Sequence, residues 1–149
     1  MSLNIRKATK DDLPTIFELY TAFEAEDAPM FDLEKTARIF TRTESYPNYA
    51  IYLAEMDGEI IGTFALLIMD NLAHLGAPEG IIESVAFHPQ MRGRRVGKAM
   101  MKQGMEICRE ASCYKLVLSS SIKRERAHQF YESLGFEKYG YSFRVKTEH

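Results

Sequence analysis

Two hydrophobic periods alternate along this 149-residue chain and exchange places at turn residues. Ile5 to Ala8 reads as a short strand, after which Thr9 caps a helix with Asp11, Asp12 and Pro14 in its first turn. Leu13, Ile16, Phe17 and Tyr20 share one face of that helix. Acidic Glu24, Glu26 and Asp27, followed by Pro29, end it, and Asp32 starts a second helix through Ile39 and Phe40, so the pair reads as a two-helix flap. Tyr49 to Glu55 and Ile60 to Met69 are β-rich runs, and the Asp57-Gly58 pair between them predicts a hairpin. Beyond a turn-rich stretch from Asp70, the run Ile81 to Phe87 reads as a largely buried strand at the sheet centre, stopped by His88-Pro89.

A basic, glycine-punctuated turn, Arg92 to Gly97, then opens a long helix on which Val96, Met100, Gly104, Ile107, Cys108 and Ala111 share a face. Lys115 to Ser119 is the next strand. Glu125 to Leu134 is a helix with Ala127, Phe130, Tyr131 and Leu134 on one side and Gly135 as its left-handed cap. Phe136 to Lys138 and Tyr141 to Lys146 supply closing strands. This order predicts one domain over residues 1–149, of the α/β class. Its core is a mixed, mostly antiparallel twisted sheet of about six to seven strands with helices on both faces.

Composition narrows the function classes. A hydrophobic share of 46% with 27% charged residues is that of a packed globular protein, not a disordered or coiled-coil chain. The 19 Lys+Arg against 21 Asp+Glu leave a net charge of −2, so any polyanion has to be met by a local basic cluster. A nucleic-acid partner is not expected, because Arg92, Arg94, Arg95 and Lys98 stand without interleaved aromatic residues. No apolar run approaches the roughly 20 residues of a membrane span, and the N-terminus carries no signal-peptide core, so a cytoplasmic protein without membrane contact is expected. Cys108 and Cys113 fit no common zinc or redox spacing and read as small buried hydrophobes in a reducing compartment. His74, His88, His128 and His149 make no metal spacing, so no metal is expected.

Chemistry concentrates at two places. From Gln90 to Lys98 the chain turns into a helix, whose first N–H groups and dipole converge on one spot suited to a phosphate or pyrophosphate. Gly93 and Gly97 permit close approach, and Arg92, Arg94, Arg95 and Lys98 supply charge. The same spacing also suits a solvated basic turn. The second place is Phe130-Tyr131 with Gly135-Phe136, where the pattern alone makes Tyr131 a core residue as readily as a catalytic one.

Together, at this separation and strand order, the two motifs resemble the GNAT superfamily of acetyl-CoA-dependent N-acetyltransferases, over nearly the whole chain from Arg6-Lys7-Ala8-Thr9 onward. The family's pyrophosphate loop reads Arg/Gln-x-x-Gly-x-Gly/Ala; Arg92 and Gly97 match, and Arg95 stands where the middle glycine is expected. The second motif matches closely from Phe130 to Phe136. The run Lys123-Arg124 to Ala127-His128 is similar to the branch that acetylates small amines such as aminoalkylphosphonates, although many members carry Asn where Arg124 stands.

The resemblance implies acetyl-CoA as co-substrate, a small-molecule amine as acceptor and direct attack without an acetyl-enzyme. It also implies that backbone groups of Val85, Ala86 and Phe87 pair with pantetheine and polarise the thioester carbonyl, while Arg92, Gly93, Arg94, Arg95, Val96, Gly97 and Lys98 hold the pyrophosphate. Tyr131 is then the proton donor to the leaving thiolate. Glu83 is the candidate base, placed by period-2 alternation with Ile81, Val85 and Phe87 on a face whose burial favours proton uptake; a purely structural carboxylate is the alternative. His128 either lines the cofactor path or sits at the surface. Substrate selection is expected from the Phe23 to Phe31 flap, the Asp70 to Glu79 loop and the aromatic tail Tyr139, Tyr141 and Phe143. A homodimer through the C-terminal strands is a further expectation. The rival readings are a non-catalytic acyl-CoA-binding sensor or regulatory module, prompted by Arg95, and a protein N-acetyltransferase.

Overall fold

The computed structural model describes residues 3–23, 32–91 and 95–147. They fall into two compact units, residues 1–117 and 118–149. The first begins with β1 (Leu3–Lys7), α1 (Leu13–Phe23) and α2 (Leu33–Glu44). It continues through β2 (Tyr49–Met56), β3 (Glu59–Met69), β4 (Glu79–Phe87) and α3 (Val96–Glu110). The boundary lies inside β5 (Lys115–Leu118), and the second unit holds α4 (Glu125–Ser133). The strands form one sheet in the order β1-β2-β3-β4-β5, the first four antiparallel.

Local chemistry sets the joints. Thr9 N–H donates to Asp12 Oδ2 at 2.7 Å and Asp12 N–H to the Thr9 carbonyl at 3.0 Å, closing a short 3₁₀ turn that leads into α1. Asp32 caps α2 by accepting from Lys35 N–H at 3.1 Å. The hairpin between β2 and β3 turns on Asp57 (φ 53°) and Gly58 (φ 82°), successive left-handed residues that match the twist of the flanking strands. At the other edge, Tyr114 N–H reaches the Pro78 carbonyl at 2.9 Å and Lys115 pairs with Glu79 at 3.7 Å, so β4 and β5 start side by side. They therefore run parallel with α3 as the crossover, which makes the sheet mixed as expected.

Both faces of the sheet are covered. Leu13 and Ile16 of α1, Phe40 of α2 and Leu53 of β2 form the core on one side. On the other, α3 lies close enough that a methyl group placed on Gly62 would stand 2.5 Å from Met100 Sδ, and one on Gly104 3.0 Å from Ile82 Cδ1. These glycines allow the close packing of α3 on β3 and β4.

In the second unit, Gly135 (φ 97°) ends α4, and Phe136 N–H bonds back to the Tyr131 carbonyl at 3.1 Å, a Schellman closure. The expected closing strands are not formed: five strands are present among the described residues, not six to seven. Tyr139, Tyr141, Phe143 and Val145 keep their period of two but are 69–93% exposed. Alternation fixes which side chains share a face, whereas a strand also needs a neighbour for its backbone groups. Among the described residues no helix is long and apolar enough to cross a membrane.

Candidate active site

Strand β4 carries an irregularity that sequence periodicity does not reveal. Ala65 pairs with Glu83 and Thr63 with Ala86, so Ser84 and Val85 together oppose Phe64. This is a β-bulge, and its first residue, Ser84, is left-handed at φ 54°. The bulge breaks the alternation. Ile82 contacts the α3 side before it, and Phe87, paired with Gly62, lies on that same side after it. The single face expected for Ile81, Glu83, Val85 and Phe87 is therefore divided, and Glu83 stays with Ala65 on the opposite face. The burial expected of Glu83 is also absent, since the residue is exposed.

The same register sorts the backbone groups. His88 N–H donates to the Ile61 carbonyl at 2.8 Å, and alternation then turns the Ala86 amide to β3 as well. Of the expected thioester-facing trio, the Ala86 amide thus pairs within the sheet, while the amides of Val85 and Phe87 turn to the opposite edge. There β5 has four residues against nine in β4, so as a strand it matches only the first half of its neighbour.

Three residues near the bulge carry chemistry that the sequence does not single out. Burial pushes the phenol of Tyr20, on α1, up to about 12, with Tyr49 adding to the rise and Ser84 opposing it. Burial and then the charge of Glu83 raise Tyr49. Tyr20, Tyr49, Glu83 and Ser84 therefore form one interacting group. Ala65, between Ile51 and Glu83 in the ladder, is buried.

At the start of α3, Arg95 is left-handed (φ 63°, ψ 14°) and its carbonyl accepts from Ala99 N–H at 3.0 Å. The amides of Val96, Gly97 and Lys98 precede that first helical bond and open toward the helix N-terminus. Val96 and Gly97 are buried, whereas Arg95 and Lys98 are exposed cations. Arg92, Gly93 and Arg94 lie outside the described residues, as do Glu24, Glu26 and Asp27 of the expected flap. Arg95 takes the conformation that glycine would adopt freely, so the departure from the family's loop pattern is absorbed by the side chain's own backbone.

In the second unit, Tyr131 is half-buried, with ring centroids 5.3 Å from Phe130 and 5.8 Å from Phe136. Burial raises its phenol above the ordinary value, outweighing the lowering effect of Arg124. His128 is tied locally, its Nε2 lying 2.8 Å from the Ser121 carbonyl. Cys108 and Cys113 are free thiols in contact, and burial pushes Cys108 up. Among the described residues no group of three or more His, Cys, Asp or Glu side chains gathers around a metal position.

Known proteins place this arrangement. The chain is 30% identical to glucosamine 6-phosphate N-acetyltransferase of Trypanosoma brucei brucei, over 97% of its own length and 96% of that protein. It is 27% identical to the aminoalkylphosphonate N-acetyltransferase of Salmonella typhimurium, over 93% and 88% respectively. Among solved structures, a putative acetyltransferase from Agrobacterium tumefaciens superposes with a TM-score of 0.90 at 30% identity, covering 97% of this chain and 99% of that one. The model of the acetyltransferase (GNAT) family matches residues 13–136, which include the β4 bulge, the start of α3 and Tyr131. The chain belongs to the GNAT family of acyltransferases.

Proposed function

We propose that the chain moves the acetyl group of acetyl-CoA to a primary amine of a small molecule by direct attack. The observation that carries this reading is the sequence of a bulged β4 followed by a long helix whose first amides open outward between two exposed cations. Such a terminus suits a pyrophosphate. Of the expected pyrophosphate contacts, the amides of Val96, Gly97 and Lys98 and the charges of Arg95 and Lys98 fit the group; Arg92, Gly93 and Arg94 are carried by the loop motif alone. The family match across residues 13–136 supports treating residues 1–149 as one catalytic domain.

The chemistry follows from protonation states. A primary amine is mostly an ammonium near neutral pH, with a pKa of about 10.4 for a lysine-like group. Glu83, exposed beside the bulge, takes that proton directly or through water, freeing the nitrogen lone pair. The nitrogen then bonds to the thioester carbonyl carbon, and the oxyanion draws on the outward amides of Val85 and Phe87. As the carbon–sulfur bond breaks, Tyr131 gives its phenolic proton to the thiolate, and the second proton that the tetrahedral nitrogen must shed to become an amide passes through water to restore the phenol. Its raised phenol keeps that proton available throughout the neutral range.

The named activities of the two relatives support acceptors that pair a primary amine with a phosphate or phosphonate. The sensor reading loses its motive, because Arg95 preserves the left-handed turn expected of glycine. Two free thiols in contact fit a reducing, cytoplasmic setting. A homodimer is supported by the exposed row Tyr139, Tyr141, Phe143 and Val145. The test is mass spectrometry of products after incubation with acetyl-CoA and a panel of amino-sugar phosphates, aminoalkylphosphonates, unphosphorylated amines and lysine peptides. Acetylation of a small amine supports the proposal; acetylation of the peptides alone assigns the protein-acetyltransferase reading instead.

A further inference from the structure

Burial falls away along one face of the sheet. The ladder pairs Leu53 with Thr63, Ile51 with Ala65 and Tyr49 with Leu67, and it carries the last two rows on to Glu83 and Ile81 of β4. Ile51 packs against the core of α1 and α2, so by alternation all of these side chains stand on the face those helices cover. Leu53, Thr63 and Ala65 are buried, whereas Tyr49, Leu67 and Ile81 are half-buried and Met69, two residues on, is 40% exposed. The cover given by α1 and α2 therefore thins toward an apolar row three strands wide. Glu83 stands at the border of that row, exposed and without an ion pair among the described residues. At the far end, Tyr46, 48% exposed, meets Tyr49 edge to face with ring centroids 6.2 Å apart, which fixes the Tyr49 ring. Tyr46 is itself held by the end of α2, its N–H donating to the Thr43 carbonyl at 3.0 Å.

Tyr49 and Glu83 lie two strands and two residues apart, about 12 Å between Cα atoms at the usual strand spacing and rise. A carboxylate and an aromatic ring at that separation can bracket one molecule, with its amine at Glu83 and its carbon frame toward Tyr49. A two-carbon amine held at Glu83 does not reach the ring. A six-membered ring bearing the amine does, and its C–H face meets the negative face of the phenol ring together with the apolar side chains of Leu67 and Ile81. We infer that Tyr49, braced by Tyr46, is a specificity-determining residue that selects acceptors carrying their amine on a ring. This rests on the reading of Glu83 as the base of an acetyl transfer. Tyr49 moves no proton, so its effect falls on acceptor binding and not on the chemical step.

The experiment measures kcat and KM on the full chain for two pairs of acceptors of like charge, one ring and one acyclic in each. Glucosamine 6-phosphate is set against 2-aminoethylphosphonate, and cyclohexylamine against ethylamine, which also separates a sugar ring from a hydrocarbon ring. Circular dichroism and acetyl-CoA affinity by calorimetry establish that each variant is folded. The wild type is expected to favour the ring acceptor in at least one pair. Tyr49→Leu lowers that preference about tenfold, through KM, the size of one good aromatic contact. Tyr49→Phe keeps the preference because the ring remains, and Tyr46→Ala, at an exposed position, lowers it about threefold by freeing the Tyr49 ring. A wild type that favours the acyclic amine in both pairs would overturn the inference while leaving acetyl transfer intact. Equal losses on ring and acyclic acceptors in Tyr49→Leu would overturn it too, as would an unfolded Tyr49→Leu together with an unaltered preference in Tyr46→Ala. A fully active Glu83→Gln variant removes the base reading, a wild type that acetylates none of the four amines removes acetyl transfer, and the inference falls with either.

Discussion

Arg6 grips Asp12 with both terminal nitrogens, Nη1 and Nη2 each donating to a carboxylate oxygen at 2.9 Å, and so ties the first strand to the turn that begins α1. The same guanidinium reaches Glu55 on the neighbouring strand through Nε at 3.2 Å. Planar, two-pronged pairing is the geometry in which arginine binds a carboxylate most strongly.

Stability should therefore fall in acid through Asp12. The Arg6 guanidinium, aided by Thr9, holds its carboxyl at about 2, below the ordinary value of 3.8. A group lowered in the folded state contributes stability above its unfolded pKa and loses it as pH falls through the folded one, so the loss falls between about pH 4 and pH 2. Asp12→Asn should cost on the order of 1–2 kcal/mol at pH 7 and flatten that part of the acid-unfolding curve. Chemical denaturation at pH 7 and pH 3 checks this; an unchanged acid limb would show that the pair contributes nothing.

Gly80→Ala should be among the most disruptive single-methyl changes in the chain. A methyl group there would run into Cys108 Sγ and lie 3.0 Å from Leu116 Cδ1, with both neighbours packed between β4, α3 and β5. Overpacking of this kind costs about 1–3 kcal/mol. Thermal melting of the purified variant gives the answer, and a melting temperature equal to that of the wild type would refute the packing described.

Arg95→Gly should stabilise the fold slightly, by about 0.5–1 kcal/mol, because glycine takes φ 63° without the clash of a Cβ. It also removes an exposed cation from the start of α3, so acetyl-CoA affinity should weaken at low salt and less so at high salt. Paired melting and calorimetry at two salt concentrations test both halves. Tighter binding at low salt would show that Arg95 hinders the pyrophosphate.

The aromatic row at the C-terminus makes a prediction about assembly. Exposed Tyr139, Tyr141, Phe143 and Val145 should hold two copies together. Sedimentation at micromolar concentration should give a dimer that Tyr141→Lys with Phe143→Lys converts to monomer; a wild-type protein that sediments only as a monomer would remove the proposal.

The sheet's strands were legible where the sequence carried a local signal. Asp57-Gly58 announces its hairpin, Asp32 its helix, and Gly135 the end of α4, because each depends on torsions or caps written in a few adjacent residues. What sequence could not show depends on partners distant in the chain. The closing strands had the right period but no backbone neighbour, and the Ser84 bulge became visible only in its register against Phe64. That bulge divides the face on which alternation alone sets Glu83 together with Val85 and Phe87. Tyr20 reads as one more core position on α1, and it packs against the cluster of Leu13, Ile16, Phe40 and Leu53. The motif at Tyr131 needed no such long-range knowledge: its flanking Phe130, Gly135 and Phe136 are local.

Thiol release from acetyl-CoA in the presence of the amine panel, compared between wild type and Tyr131→Phe, tests acetyl transfer most directly. The proposal predicts release that requires an amine and falls about 100-fold in a folded Tyr131→Phe variant, the usual contribution of one general acid. Acetyl-CoA that does not bind by calorimetry, together with no thiol release for any amine, would contradict it.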